Sequence, residues 1–71
     1  MDWSGCSEVE RVPGKVSGVP ILKGTRVQAD AIVANSEDGF SAVEIAEMFY
    51  LDLRQVQVVL EYVRRTPGDQ L

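Results

Sequence analysis

The sequence contains no histidine and only one cysteine, Cys6, among its 71 residues. A disulfide within the chain and a zinc site built from cysteine and histidine are therefore both excluded. Histidine is the commonest general base of enzymes, so that base is missing here. The sequence also has no glycine-rich loop of the kind that binds phosphate groups. We expect no metal site and no cofactor.

The helical part of the sequence carries four acids that raise the question of paired acid–base catalysis: Glu44, Glu47, Asp52 and Glu61. Two of them, Glu44 and Asp52, occupy predicted helix caps, where a carboxylate bonds to backbone N–H groups. The other two fall on predicted exposed faces, and no nucleophile–base pair accompanies them. We therefore predict that the protein is not an enzyme.

Positive charge is also scarce in this chain. Seven lysines and arginines stand against eleven acids, which gives a formal net charge of −4. Neutralisation of phosphates by Lys and Arg supplies most of the affinity of proteins for DNA, so bulk charge does not favour that partner. DNA binding would require the bases to be concentrated on one face, doubled by dimerisation or supplied by a basic partner.

Long apolar runs are absent, and the uninterrupted ones are too short to span a membrane. The N-terminal residues are acidic and lack the apolar stretch of a secretory signal. We therefore expect a cytoplasmic protein without a membrane partner.

The length and composition allow one small domain. Apolar residues make up 45% of the chain, which is close to the globular average. A chain of this size buries only about 60–65% of its extended surface, so a partner chain is a natural source of further stability. We divide the sequence into a flexible N-terminus (1–7), a single domain (8–66) and a tail (67–71). Trp3 is the exception in the N-terminus, since a lone Trp packs over a core edge or anchors a partner.

The first half of the domain has the pattern of two short strands and one helix. A β-compatible run at 8–12 ends at the turn dipeptide Pro13-Gly14, and a second short strand is predicted at 20–22. An aliphatic stretch at 27–35 predicts the first helix, and Gly39 supplies a left-handed position after it.

The stretch from Ser41 to Arg65 has the pattern of two capped helices separated by a tight turn. Ser41 and Glu44 form a capping-box pair, and Asp52 with Gln55 repeats the spacing in a variant form. Two amphipathic helices joined by so short a turn are typical of a helix-turn-helix, whose second helix enters the DNA major groove. The residues thus predict a mainly α fold with three helices and a small N-terminal β element.

The candidate DNA-binding residues lie on the last helix. Arg54, Gln55 and Gln57 are the side chains that suit base edges, because Arg forks to guanine and Gln pairs with adenine. The alternative is a solvated helix face on which Gln55 caps Asp52. Two further candidates near the helix end are Arg64 and Arg65. Their positions suit an interaction with the helix dipole or contacts with phosphates.

The junction between the second strand and the first helix is a candidate partner-binding motif, made of Lys23, Gly24, Thr25 and Arg26. In a functional interpretation, Arg26 pairs with a phosphate or a partner carboxylate, with Lys23 nearby. In a structural interpretation, Gly24 adopts a positive φ, Thr25 caps the first helix and Arg26 forms an internal ion pair. We favour the structural interpretation, because capping groups at such a junction are ordinary.

The last helix carries an apolar stripe that is wide for a monomeric core of this size, formed by Leu53, Val56, Val59, Leu60, Tyr62 and Val63. Core packing accounts for much of it. We predict that part of the stripe, together with the strand edge, forms a homodimer interface.

The segment Gly18-Val19-Pro20-Ile21-Leu22-Lys23-Gly24-Thr25-Arg26 has the spacing Gly-x-Pro-x-x-x-Gly-Thr-Arg. In this it resembles a family of short prokaryotic proteins labelled a domain of unknown function, and the likeness extends over about residues 8–65. The resemblance implies a helix-turn-helix or winged-helix-like fold with a small N-terminal β element. It also implies the role of a Vap-type antitoxin, which binds a PIN-like ribonuclease toxin and operator DNA.

Overall fold

A computed structural model of the protein describes residues 2–66, so the predicted tail at 67–71 lies outside the described residues. The strands and α-helices follow in the order β1 (Val9–Glu10), β2 (Ile21–Leu22), α1 (Ala29–Glu37), α2 (Ala42–Phe49) and α3 (Leu53–Arg64), with a 3-10 turn (Val16–Gly18) between the strands. The predicted fold class is confirmed, since three helices follow a small N-terminal antiparallel sheet. None of the helices described within residues 2–66 is long and apolar enough to cross a membrane.

The sheet is shorter than the sequence pattern predicted. Val9 of β1 pairs with Leu22 of β2, and Glu10 pairs with Ile21. Proline has no N–H to donate to a ladder, and Pro13 and Pro20 lie outside the pairing at either end of the connection. Both residues of β2 are completely buried, so this strand is covered on both faces.

Helix α1 begins at Ala29, two residues later than predicted. The reason is that the chain before it is still extended. The Leu22 N–H donates to the Val27 carbonyl at 2.9 Å, and Gln28 forms an isolated antiparallel β-bridge with Ile21. Gln28 occupies the N-cap position of α1 and makes no side-chain capping bond. The prediction that Thr25 caps this helix is therefore wrong.

Helix α1 ends in a left-handed turn at Gly39. We call residues 39–41, which connect α1 to α2, the first corner. Gly39 has a φ of 102°, which favours glycine because it has no Cβ. Its N–H donates to the Ser36 carbonyl at 3.0 Å, and the N–H of Phe40 donates to the Asn35 carbonyl at 3.2 Å. This bond pair is the Schellman arrangement, and it satisfies carbonyl groups left free at the helix end.

The first corner finishes at the N-cap of α2. The Ser41 hydroxyl accepts the Glu44 N–H at 3.1 Å, and the Glu44 carboxylate accepts the Ser41 N–H at 2.8 Å. The predicted capping box is thus confirmed in both directions.

Helix α2 ends in the same backbone arrangement, which begins the second corner (residues 50–52). Tyr50 is left-handed, with φ 56° and ψ 46°. Its N–H donates to the Glu47 carbonyl at 3.4 Å, while the N–H of Leu51 donates to the Ala46 carbonyl at 2.8 Å. Asp52 then caps α3 by accepting the Arg54 N–H at 2.9 Å.

The core lies between the three helices, each of which packs against the other two, and the covered strand β2. From α3 it takes Val56 and Val59, which are completely buried. Leu60, Tyr62 and Val63 are half-buried and pack against this core. Most of the stripe predicted for a dimer is therefore used within the chain itself. A homodimer stays a prediction.

The N-terminal segment contributes two core residues, Trp3 and Cys6, each 5% exposed. The Trp3 ring stacks on Tyr62 with a centroid distance of 5.6 Å, and its Nε1–H donates to Asp30 at 3.2 Å. The Tyr62 hydroxyl donates to the Asp2 carbonyl at 2.6 Å. The flexibility predicted for residues 1–7 stays a prediction, but the described part of this segment joins α1 to α3.

Candidate functional site

The outward face of α3 carries most of the predicted DNA-binding side chains. Arg54, Gln57, Arg64 and Arg65 are all exposed. Residues three or four apart on a helix share a face, so Arg54 and Gln57 are neighbours there. Together with Glu61 and Arg65 they border an open groove of about 430 Å³.

An acid lies between the arginines at the end of this face. Glu61 accepts a hydrogen bond from Arg64 at 2.7 Å, and it lies 3.9 Å from the Arg65 Nε. All three side chains are largely exposed, so these ion pairs are weakened by salt and contribute little to stability. In the described part of the chain, no carboxylate forms an ion pair with Arg54. The first half of the face therefore offers the uncompensated positive charge.

Gln55 is separated from the other candidate DNA-binding residues. It is half-buried, and its Nε2 donates to the Lys23 carbonyl at 3.0 Å and to the Glu8 carboxylate at 3.4 Å. The interpretation in which Gln55 caps Asp52 is therefore wrong. Its amide N–H groups are engaged by the strand region, and the residue that faces solvent beside Arg54 is Gln57.

The Lys23–Arg26 motif forms a closed turn after β2. Gly24 has the predicted positive φ, 74°, and its N–H donates to the Glu10 carboxylate at 3.2 Å. The Thr25 hydroxyl donates to the Leu22 carbonyl at 2.8 Å and accepts the Val27 N–H at 3.0 Å. The structure thus gives Thr25 a role in closing this turn.

The same turn lies against the beginning of α3, because Gln55 bonds to the Lys23 carbonyl. The structure therefore brings together two candidate sites that the sequence analysis treated separately. Lys23 and Arg26 are exposed. Within residues 2–66 the ion pairs involve only Glu61, Arg64 and Arg65, so the internal ion pair predicted for Arg26 is not found there.

Charge is unevenly divided between the helices. The segment 27–53, which includes α1 and α2, contains six of the eleven acids and none of the seven bases. Three bases lie on α3 and its end, at Arg54, Arg64 and Arg65. A phosphate backbone would therefore be attracted to the outward face of α3 and repelled by α1 and α2.

A second surface, which the sequence analysis did not predict, lies at the second corner. We call it the corner groove; it holds about 470 Å³ and is lined by Val43, Ala46, Glu47, Tyr50, Leu51 and Leu53. Tyr50 is 95% exposed, Val43 51% and Leu53 37%. Tyr50 stands at a helix end where glycine is usual, but its left-handed φ and its exposure become evident only in the structure.

Comparison with known proteins bears on the fold and not on the chemistry of either surface. The family described as "Protein of unknown function (DUF433)" matches residues 9–63. The crystal structure of a DUF433 member protein from Anabaena variabilis superposes with a TM-score of 0.68 at 19% sequence identity. The match covers 87% of this chain and 62% of that chain. No curated protein matches the sequence.

Proposed function

We propose that this chain, which belongs to the DUF433 family of proteins of unknown function, is a small antitoxin-like regulator without catalytic activity. It binds operator DNA through the outward face of α3 and a PIN-like ribonuclease toxin through a separate surface. The antitoxin part of this proposal is supported by the Gly-Thr-Arg segment and its family resemblance. The DNA part is supported by the structure of the α2–α3 pair and by the bases on the outward face of α3.

The observation that carries the DNA part is the exposure of Arg54 and Gln57 in the first turns of α3. This is the position from which the second helix of a helix-turn-helix contacts base edges. Arg65 borders the same groove as Arg54, and the exposed Lys23 belongs to the turn whose backbone contacts α3, so both are candidates for phosphate contacts. The acids on α1 and α2 then set the orientation, because they disfavour any approach of DNA from their side.

The DNA part is tested by fluorescence anisotropy with a duplex taken from the region upstream of the protein's own gene. We expect binding that weakens steeply as salt rises towards about 200 mM, because counterions are released from each contacted phosphate. Arg54→Ala is expected to lower the affinity by about 1–3 kcal/mol, and a loss of sequence preference should accompany it. No binding at low salt would reject the DNA part.

The control for Arg54→Ala is Lys15→Ala, which removes one positive charge from the loop between the strands. A specific contact predicts a much larger loss for Arg54→Ala. Equal losses would mean that only net charge is being measured.

The toxin part is tested by co-expression with the product of the neighbouring gene. A PIN-like ribonuclease that co-purifies at a fixed ratio, and whose activity falls on binding, is the expected result. A neighbour of that kind that does not bind would contradict the proposal.

A second function, a protein–protein adaptor without DNA binding, is favoured by one specific observation. The segment 27–53 has no base and ends at the exposed corner groove, so the larger part of the helical surface suits a protein partner better than a nucleic acid. Partner binding without any salt-dependent DNA binding would identify the adaptor.

A further inference from the structure

We propose that the corner groove is a docking site for a protein segment that presents aliphatic side chains flanked by lysine or arginine. The inference deepens the protein-binding part of the proposed function and is independent of the DNA part. It rests on the backbone at Tyr50, the shape and composition of the groove, and the distribution of charge around it.

Tyr50 occupies a position that the fold does not require to be aromatic. Its left-handed φ of 56° is disfavoured for residues with a Cβ, and glycine or asparagine is usual at such a helix end. Its side chain is 95% exposed, so the ring makes almost no contact that would compensate for this strain. Residues with a strained backbone cluster at ligand-binding and switch regions, which makes the position of Tyr50 a candidate for binding.

The groove beside the ring is apolar and framed by two helices. Val43 on α2 and Leu53 on α3 are both exposed, while the Ala46 side chain leaves room between them. Leu51 forms the floor, since it is half-buried against the core. A half-buried floor with a projecting aromatic ring at its edge is suited to hold an anchoring side chain at a protein interface.

The charges around the groove determine which partner fits. Glu47 lines it, Asp52 lies in the same corner, and no base occurs between residues 27 and 53. The first base after the corner is Arg54, which borders the separate groove on the outward face of α3. A second copy of the chain that docked through the same patch would bring one acidic corner close to another, because a two-fold interface pairs each patch with itself. A partner of opposite charge avoids this repulsion, which favours a basic and aliphatic segment as the occupant.

The probe is a synthetic amphipathic helix longer than about 15 residues, with leucine on one face and arginine beside it. The matched control peptide has glutamate in place of every arginine. Backbone amide signals of the ¹⁵N-labelled full chain are followed during titration. We expect the arginine helix to shift signals of residues 43–53 and to bind about tenfold more tightly than the glutamate helix.

Two variants separate docking from folding. Tyr50→Asn removes the ring but keeps a residue that accepts the left-handed backbone, so it should fold normally and bind the arginine helix about tenfold more weakly. Lys15→Ala changes the loop between the strands, which lines no part of the groove, and should bind this peptide as the parent protein does. Neither peptide result depends on DNA, and Tyr50→Asn should leave any DNA affinity unchanged.

Several results would overturn the proposal. These are shifts centred outside residues 43–53, equal affinity for the two peptides, no binding of the arginine helix, or unchanged binding by Tyr50→Asn. A further contradicting result could come from sedimentation equilibrium. If the parent protein is a dimer that Tyr50→Asn dissociates, the occupant of the groove is a second copy of the chain.

Discussion

The first and second corners are built on the same plan, but they end differently. Each begins with a left-handed residue that closes a Schellman bond pair, continues with one apolar residue and finishes at the N-cap of the next helix. In the first corner these roles are filled by Gly39 and Ser41, and in the second by Tyr50 and Asp52. The backbone requirement is therefore met twice with different chemistry.

The difference teaches which residues serve the fold alone. The first corner is closed on itself, because Ser41 and Glu44 satisfy one another. At the second corner the equivalent of Glu44 is Gln55, which bonds away to Lys23 and Glu8, and the equivalent of Gly39 is an exposed tyrosine. The second corner thus joins α3 to the strand turn on one side and presents the corner groove on the other.

The largest effect on stability is expected when Gly39 of the first corner is replaced by tyrosine, the residue at the equivalent position of the second corner. Gly39→Tyr places a Cβ on a backbone with a φ of 102°, and we expect a loss of about 1–2 kcal/mol in the free energy of unfolding. Apart from the two neighbouring residues, no atom lies within 4 Å of the added Cβ, so the Cβ itself meets no clash and the expected loss is that of backbone strain. Urea unfolding measures it, with Gly39→Asn as the milder control. An unchanged midpoint would contradict the strain argument.

An effect of intermediate size is expected at the two helix caps, and double-mutant cycles distinguish the Ser41–Glu44 pair from the Asp52–Gln55 pair. Ser41→Ala is expected to lower stability by about 1 kcal/mol, and to couple with Glu44→Ala by about 0.5–1 kcal/mol because the two side chains act together. Asp52→Ala and Gln55→Ala should instead add within about 0.5 kcal/mol, since Gln55 does not bond to Asp52. Coupling of equal size in both cycles would mean that Gln55 returns to the cap in solution.

The smallest effect on stability is expected from the reverse exchange, in which Tyr50 of the second corner is replaced by glycine, the residue at the equivalent position of the first. Tyr50→Gly relieves the left-handed strain but increases the entropy of the unfolded chain, so the net gain in stability is about 0.5–1 kcal/mol. Thermal unfolding at constant buffer measures it. A clear loss of stability would show that the Tyr50 ring contributes to the fold, which the exposure of the side chain argues against.

Local patterns in the sequence were sufficient for α2 and α3 and for their N-cap residues. Ser41, Glu44 and Asp52 act within their own helix ends, so spacing along the chain determines their partners. The left-handed positions of Gly24 and Gly39 were predicted for the same reason. Thr25 was misplaced because the extended residues Val27 and Gln28 delay the helix, and their partners come from β2.

The candidate surfaces were less accessible to sequence reasoning. Arg54 and Gln57 were placed on one face by helical periodicity alone. Gln55 was assigned to the same face because its competing partners, Lys23 and Glu8, are distant in sequence. The corner groove escaped notice because Tyr50 counts as an ordinary turn residue until its exposure and φ are known.

The sequence by itself determined the class of fold, the capped helix pair, the lack of histidine and of a second cysteine, and the division of charge between 27–53 and the rest of the chain. These properties depend on composition and on contacts between near neighbours. Only the tertiary structure decided that Trp3 and Cys6 complete the core, that the Lys23–Arg26 turn lies against α3, and that Tyr50 stands free. Such contacts join residues far apart in the chain, where packing and not local preference selects the partner.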